Sequence, residues 1–310
     1  MGVEELDFAH ASELDRRGVH AVLAADGEAL SYEDTVTAWL SRNDIGFEAP
    51  RFAVVREGER IVGYVSARIS EEKANAHVAL FYLAVLPQHR RRGIGTALLG
   101  ALPTLIPGRT VAESWNVFKD SPGEHFAAAR GLRVVTSMTR QRLDVTGLPE
   151  IGALPPGYEL VTWTGRTPDE FVETYVEGLN AMADAPFGDT AIDSAGFTAD
   201  RVRREEAGTL TAGGDRWVVL TLHDREIAGL TVVERQAGQR TRAEQLHTVV
   251  LPAHRGHGLG LLMKARMLHE LTGVEVIFTR TSSDNRHMLR VNHSLGYTDL
   301  YTYLAVQAQL

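Results

Sequence analysis

The 310-residue chain has no cysteine, three lysines among its 32 basic residues, and no apolar run near the ~18 residues of a membrane span. The first absence excludes disulfides, thiolate metal sites and a cysteine nucleophile, so a covalent intermediate would need another residue type. The second is a compositional bias that carries no mechanism. The third, with an amino terminus Met1-Gly2-Val3-Glu4-Glu5 that lacks a basic and apolar signal pattern, predicts a cytoplasmic protein without a membrane partner. Positive charge is also short. The net charge of −8 argues against nucleic-acid binding, where a basic face must offset phosphates. What is present is ordinary: 44% hydrophobic and 23% charged residues, in a length that allows about two domains of ~150 residues.

One arrangement occurs twice. The strand-like run Leu80 to Pro87 is followed by His89-Arg90-Arg91-Arg92-Gly93-Ile94-Gly95 and then Thr96-Ala97-Leu98-Leu99. The run Leu246 to Pro252 is followed by His254-Arg255-Gly256-His257-Gly258-Leu259-Gly260 and a helix-like stretch to Leu271. Pro87 and Pro252, Arg90 and Arg255, Gly93 and Gly258, Gly95 and Gly260, and the later Gly131 and Gly296 are each 165 residues apart. A constant offset over separated landmarks marks two copies of one domain. Residues 145–157, rich in glycine and proline, read as a linker, so the expected domains are 1–145 and 158–310 about a linker 146–157.

Along the first copy the pattern predicts an edge strand from Val3, helical segments within Ser12 to Leu40, and a hairpin over Arg51 to Val55 and Arg60 to Ala67. A central apolar strand Val78 to Val85 follows, then a helix that Pro103 ends or kinks, a strand near Thr110, and a helix opened by Ser121-Pro122-Gly123-Glu124 and closed at Gly131. Along the second copy it predicts a strand from Tyr158, a helix Pro168 to Met182, a hairpin over Trp217 to Leu222 and Ile227 to Val233, and the strand before the glycine turn. A long helix to Leu271, a strand Val274 to Thr279, a helix capped by Ser283 or Asp284 and ended by Gly296, and a last strand Asp299 to Val306 complete it. The fold class is α/β (mixed α+β), with a β-meander before each glycine turn.

A strand that feeds a glycine turn and then a helix presents free backbone N–H groups at the positive end of the helix dipole, which suits phosphate. Gly93 and Gly258 clear side chains where backbone meets ligand, and Gly95 and Gly260 allow close helix packing. A plain strand-to-helix connection is the alternative. The basic run His89 to Arg92 is read as part of such a site, although charge runs commonly belong to a solvated face. The lysine-containing nucleotide loop and the dinucleotide fingerprint are both excluded by the missing Gly-x-Lys and the missing crossover.

Together with Phe126-x-x-x-x-Gly131-Leu132 and Asn285-x-x-Met288-x-x-x-Asn292-x-x-x-Gly296-Tyr297, these residues make each half resemble the GCN5-related N-acetyltransferase superfamily. The resemblance covers nearly the whole chain as a tandem pair, each half a mostly antiparallel mixed sheet flanked by helices. It implies acetyl-CoA as cofactor, with its pyrophosphate on Arg90, Arg91, Arg92, Gly93, Ile94, Gly95 and Thr96, or on Arg255, Gly256, His257, Gly258, Leu259 and Gly260. The pantetheine arm would run beside Val85 or Val250, and Asn285 would contact it unless that residue is only a helix cap. Tandem members that make mycothiol or modify antibiotics share the layout, so the implied partner is a small-molecule amine, with the protein a monomer or homodimer. A non-catalytic acyl-CoA sensor or scaffold is the rival reading.

Bases in this superfamily often lie six or eight residues before the Pro87/Pro252 position. Those positions hold Phe81 and Ala79 in the first half but Leu246 and Glu244 in the second. Glu244 is therefore the expected general base and the second half the expected catalytic one, the alternative being a solvated glutamate at a strand start. His247 has the opposite strand parity, unless a bulge re-aims it. The family's thiolate-protonating tyrosine falls on Ala127 and Asn292, which leaves His293, Tyr297 or water for that step. Met182, Asp184 and Asp189 are the expected acceptor contacts, the acids attracting a cationic amine.

Overall fold

The computed structural model describes residues 2–25, 31–33, 35–36, 47–184, 188–193 and 196–310, without the side chains of Ala183 and Asp184. By density of contacts the chain falls into two units. Unit 1 is Met1–Thr136, Gly188–Ala195 and Tyr303–Leu310; unit 2 is Ser137–Phe187 and Gly196–Thr302. Among the described residues no helix is long and apolar enough to cross a membrane.

In unit 1 the elements are β1 (Val3–Leu6), α1 (Glu13–Ala24), β2 (Arg51–Glu57), β3 (Arg60–Ile69), β4 (Val78–Val85), α2 (Ile94–Gly100), α3 (Leu102–Leu105), β5 (Val111–Phe118) and α4 (Pro122–Ala129). Each boundary follows from local chemistry. Ser12 caps α1 by accepting from the Asp15 N–H, and Gly58 turns the β2–β3 hairpin with φ 62°. The expected helix after the glycine turn stops at Gly100, and Pro103 sits in the first turn of α3, where its missing N–H costs nothing. Ser121 caps α4 by accepting from Gly123 and Glu124 N–H groups, and Gly131 closes it with φ 73°. The helical segments expected between Ala25 and Leu40 fall largely outside the described residues.

In unit 2 the elements are β7 (Tyr158–Thr164), α5 (Val172–Asn180), α6 (Ala199–Thr211), β8 (Asp215–His223), β9 (Glu226–Arg235), β10 (Arg242–Val250), α7 (Leu259–Glu270), β11 (Val276–Ser282) and α8 (Arg286–Ser294). Helix α6 was not anticipated: of its 13 residues only Val202 and Glu206 are buried. The expected cap of α8 moves to Asn285, whose side chain accepts from the Met288 N–H at 3.1 Å.

The two remaining strands cross the repeat. β6 (Arg133–Asp144) ends the first half in chain order, yet its residues Met138–Asp144 pair antiparallel with β11 in unit 2. β12 (Thr298–Gln309) ends the second half, yet Tyr303–Gln309 pair antiparallel with β5 in unit 1. Each unit therefore has the same strand order, β1-β2-β3-β4-β5 or β7-β8-β9-β10-β11, followed by a strand from the other half. Within each unit the strand pairs are antiparallel except β4–β5 and β10–β11, the pair that flanks each glycine turn.

Both units bury their sheets. Unit 2 has an α7 face, with Trp217, Val219, Val233, Ala243, Met263, Ile277 and Tyr297, and an α5/α6 face, with Tyr175, Leu179, Val218, Leu230, Val232 and Val249. Because strand side chains alternate, successive residues of β9 and β10 belong to opposite faces.

Candidate active site

Each glycine turn is built the same way. β10 runs into a 3₁₀ turn over Pro252–His254, and Gly256 and Gly258 take left-handed φ values of 85° and 73°, Gly258 standing at the N-terminus of α7. The Arg255 Nε donates to the Val250 carbonyl at 3.1 Å, as the Arg90 Nε does to Val85 at 2.9 Å. The paired arginines thus fasten each turn back onto its strand. A Cβ added at Gly93 or Gly258 meets nothing within 4 Å, so backbone angle, not crowding, demands glycine there and the space before the turn is open. Gly95 does permit close packing, since a Cβ would lie 3.1 Å from Phe126; at Gly260 the nearest atom is Val250 Cγ2 at 3.9 Å, an ordinary contact.

The turns then diverge. Helix α7 has 12 residues and no side-chain cap, so its first N–H groups face the open space with a full helix dipole behind them; α2 has seven. At the first left-handed position Arg91 (φ 62°) stands where unit 2 has Gly256. His89 and Arg92 both reach Glu57 at 3.1 Å, which offsets charge in the expected phosphate run. In unit 2, Tyr158 hydrogen-bonds His254 Nδ1 at 3.0 Å and packs 5.7 Å from the His257 ring, setting imidazoles beside the turn.

Beyond each turn the parallel strands part. β10 pairs with β11 only from Arg242 to Gln245, and β4 with β5 only from Val78 to Leu80, leaving the backbone of Leu246–Val250 and Phe81–Val85 open on that side. Such an edge can accept an extended amide-bearing chain by strand addition. At the apex of the second fork the β9–β10 register slips: Gln245 pairs with Val233 and His247 with Val232, so Leu246 bulges out, 41% exposed. The Gln245 amide holds the slip, donating to Thr231 Oγ1 at 2.9 Å, the Val232 carbonyl at 2.7 Å and the His247 carbonyl at 3.0 Å. In the first copy Phe81 stands at the ladder position of Gln245 and Leu80 at that of Glu244, and the β3–β4 ladder is unbroken.

The bulge reverses strand parity, so His247 lies on the same α5/α6 face as Glu244. Its imidazole meets the Phe197 ring edge-on at 6.0 Å, and neither ring nitrogen has a hydrogen-bond partner among the described residues, although Nδ1 is buried. Burial, reinforced by the Arg216 and Arg201 charges, lowers its pKa to about 4, so the ring is neutral near pH 7. Glu244 is differently placed. Both of its oxygens are taken by Arg140, at 2.7 and 2.6 Å, and Arg242 lies 3.7 Å away. A bidentate fork fixes carboxylate and guanidinium in one geometry.

The opposite face of the apex is closed. Asn292, at the expected tyrosine position, is fully buried and donates to Gln141 Oε1 at 2.6 Å and Thr281 Oγ1 at 3.2 Å. Tyr297 is buried too, its pKa raised by desolvation, and His293 pairs with Asp299 at 2.8 Å. Of the expected acceptor contacts, Met182 packs against the α5/α6 core, and the side chain of Asp184 lies outside the described residues. Asp189 belongs to unit 1, where Arg133 lies 3.0 Å from its carboxylate. The same segment is held there by Glu113, fully buried, which accepts from Thr190 Oγ1 at 2.7 Å and the Ala191 N–H at 2.6 Å. Sequence reasoning missed Arg140 and Arg142, because β6 comes a hundred residues earlier, in the other repeat.

Comparison with known proteins agrees with this architecture. Residues 20–130 match the Acetyltransferase (GNAT) family. The chain is 29% identical to the mycothiol acetyltransferase of Nocardia farcinica over 93% of this chain and 91% of that protein. It is 30% identical to that of Actinosynnema mirum over 70% of each. Among solved structures, a tandem GNAT protein from the clavulanic acid biosynthesis pathway superposes with a TM-score of 0.74 at 27% identity, over 99% of this chain and 98% of that one. A GCN5-related N-acetyltransferase from Sphaerobacter thermophilus shares the fold, with a TM-score of 0.72 at 16% identity over 99% and 95%.

Proposed function

As the chain belongs to the Acetyltransferase (GNAT) family and is an N-acetyltransferase, we propose that unit 2 moves the acetyl group of acetyl-CoA to the amine of a small molecule. Acetyl-CoA is the acyl donor of this family. The observation that carries the assignment is the bulge at Leu246, which sets His247 and Glu244 on one face of an open fork; unit 1 has a continuous strand with Leu80 and Tyr82 there.

The residues divide the work as follows. The N–H groups of Gly256 to Gly260 and the start of α7 hold the pyrophosphate, while His257 stands beside it. The open edge of Leu246–Val250 aligns the pantetheine arm, with Asn285 at the start of α8, and brings the thioester to the apex. The bulged backbone offers N–H groups to the carbonyl oxygen as charge develops on it. His247, neutral and without an internal partner, accepts the proton of the attacking amine. Glu244 fixes Arg140 and so shapes the acceptor side. With Asn292 in place of a tyrosine, the thiolate takes its proton from water. In unit 1 the equivalent residues Val85, Arg90 to Gly93, Ile94, Gly95 and Thr96 form a turn that binds coenzyme without reaction or serves as structure.

The test is a pair of variants assayed by thiol release. Gly258→Trp fills the space before the α7 turn and should lower turnover by at least a hundredfold; Gly93→Trp should leave it within twofold. Equal losses, or loss only from Gly93→Trp, would remove the assignment to unit 2.

A further inference from the structure

The face of unit 2 that carries His247 concentrates guanidinium groups. Ladder pairs lie on one side of a pleated sheet, and the pairs Arg142–Phe278, Arg140–Arg280 and Glu244–Phe278 therefore place these side chains together, with Arg242 two residues before Glu244. The Phe278 ring is the platform: the guanidinium carbons of Arg242, Arg140 and Arg142 lie 4.1, 4.7 and 5.9 Å from its centroid. Arg140 is buried and committed to Glu244, and Arg142 reaches Asp144 at 2.6 Å. Arg280 is exposed and has no ion-pair partner among the described residues.

Around Phe278 four cations thus face two carboxylates, with the buried Arg216–Glu234 pair further along the same face, in a chain whose net charge is −8. Stability does not account for the excess, because like charges repel and exposed pairs contribute little. Recognition does. A guanidinium presents N–H groups in a planar fork that matches an oxyanion, and stacking on an aromatic ring orients the fork at low entropic cost. Arg280 lies one residue past the apex on β11, and Arg242 and Arg142 lie beside Phe278 on its paired side.

We propose that the acceptor is an amine that also carries an oxyanion, a carboxylate or a phosphate, bound by Arg242, Arg280 and Arg142 over Phe278. This rests on unit 2 being the transferring unit. The cationic surroundings have a second effect, since they disfavour the ammonium form of the acceptor and raise the fraction of neutral amine available for attack. They also repel acceptors whose only charges are positive, in contrast to the cationic amine expected from the acidic loop.

The experiment uses the full chain and matched amines: glucosamine against glucosamine 6-phosphate, and tyramine against tyrosine. Thiol release gives kcat and KM, and calorimetry without acetyl-CoA gives binding. The member with the oxyanion in at least one pair should show a kcat/KM at least tenfold above its congener without one, and which pair responds identifies phosphate or carboxylate. Arg242→Gln and Arg280→Gln should each raise KM for that member at least tenfold, leaving kcat, the KM for acetyl-CoA and the congener without the oxyanion within twofold. No preference within either pair by either readout, or variants that weaken both members equally, would overturn the proposal. The calorimetric arm separates this idea from the one beneath it. If the glycine variants assign turnover to unit 1 while Arg280→Gln still abolishes binding of the member with the oxyanion, the oxyanion site stands and the catalytic assignment falls.

Discussion

Strands β4 and β10 occupy the same place in two copies of one domain and differ by a side-chain amide. Where β10 has Gln245, three hydrogen bonds from its Nε2 hold a register slip, and a histidine turns onto the open face. Where β4 has Phe81, the ladder runs unbroken, and the face that holds Glu244 and His247 in unit 2 holds Leu80 and Tyr82. The glycine turns, by contrast, share one design. On the proposed assignment to unit 2, chemistry is decided a few residues upstream of a shared turn, by whether a strand is interrupted.

The largest expected difference lies at His247. His247→Gln should lower kcat by about 10²-fold or more, the usual worth of a positioned base. Tyr82→Phe, at the matching position of β4, should leave it unchanged. With a folded pKa of about 4 against 6.5 for an ordinary histidine, the unfolded chain takes up this proton first. Stability should therefore fall as pH drops from about 6.5 towards 4, and His247→Gln should flatten that slope in urea titrations. An unchanged kcat and slope would return the base to Glu244 or to water.

Next comes the ion pair. Glu244→Ala strands the buried Arg140 and should cost about 3 kcal/mol of unfolding free energy, whereas Glu244→Gln, which keeps an acceptor, should cost less. Ala79→Glu should destabilise by a similar amount, because its ladder partners Ile69 and Ala112 offer no counter-charge. The smallest effect is steric. A Cβ on Gly229 would lie 2.6 Å from the Val249 carbonyl and 3.0 Å from Met263, while one on Gly63 would meet Ile94 at 3.0 Å and the Ala84 carbonyl at 3.2 Å. Gly229→Ala should cost about 2 kcal/mol and Gly63→Ala about 1 kcal/mol, both within the range for overpacked cores. Reversal of that order would show the helix of unit 1 to be the more tightly seated.

Much of the fold was legible because it is written in local signals: the constant offset of the glycine landmarks, the Ser121 cap, and the run Val78 to Val85 that is β4 residue for residue. The two glycine turns, left-handed at Gly93 and Gly258 ahead of a helix, were legible for the same reason. What escaped depends on partners distant in sequence. The parity of His247 requires knowing how β10 registers against β9, and Glu244 reads as a base until Arg140 is seen to occupy both its oxygens. Asp189 reads as an acceptor contact because chain order puts it in the second half, while its carboxylate is held by Arg133. Helix α6 escaped because its polar surface leaves almost no apolar periodicity to detect.

The crossing of β6 and β12 has a consequence for ancestry and for dissection. A single-copy ancestor that traded its last strand with a twin would have been a swapped dimer, and joining two such genes end to end makes the trade permanent. From then on neither repeat owns a whole sheet. Deleting the first repeat would take from the second the strand that carries Arg140 and Arg142, so on the proposed assignment the transferring copy is unfinished without its neighbour.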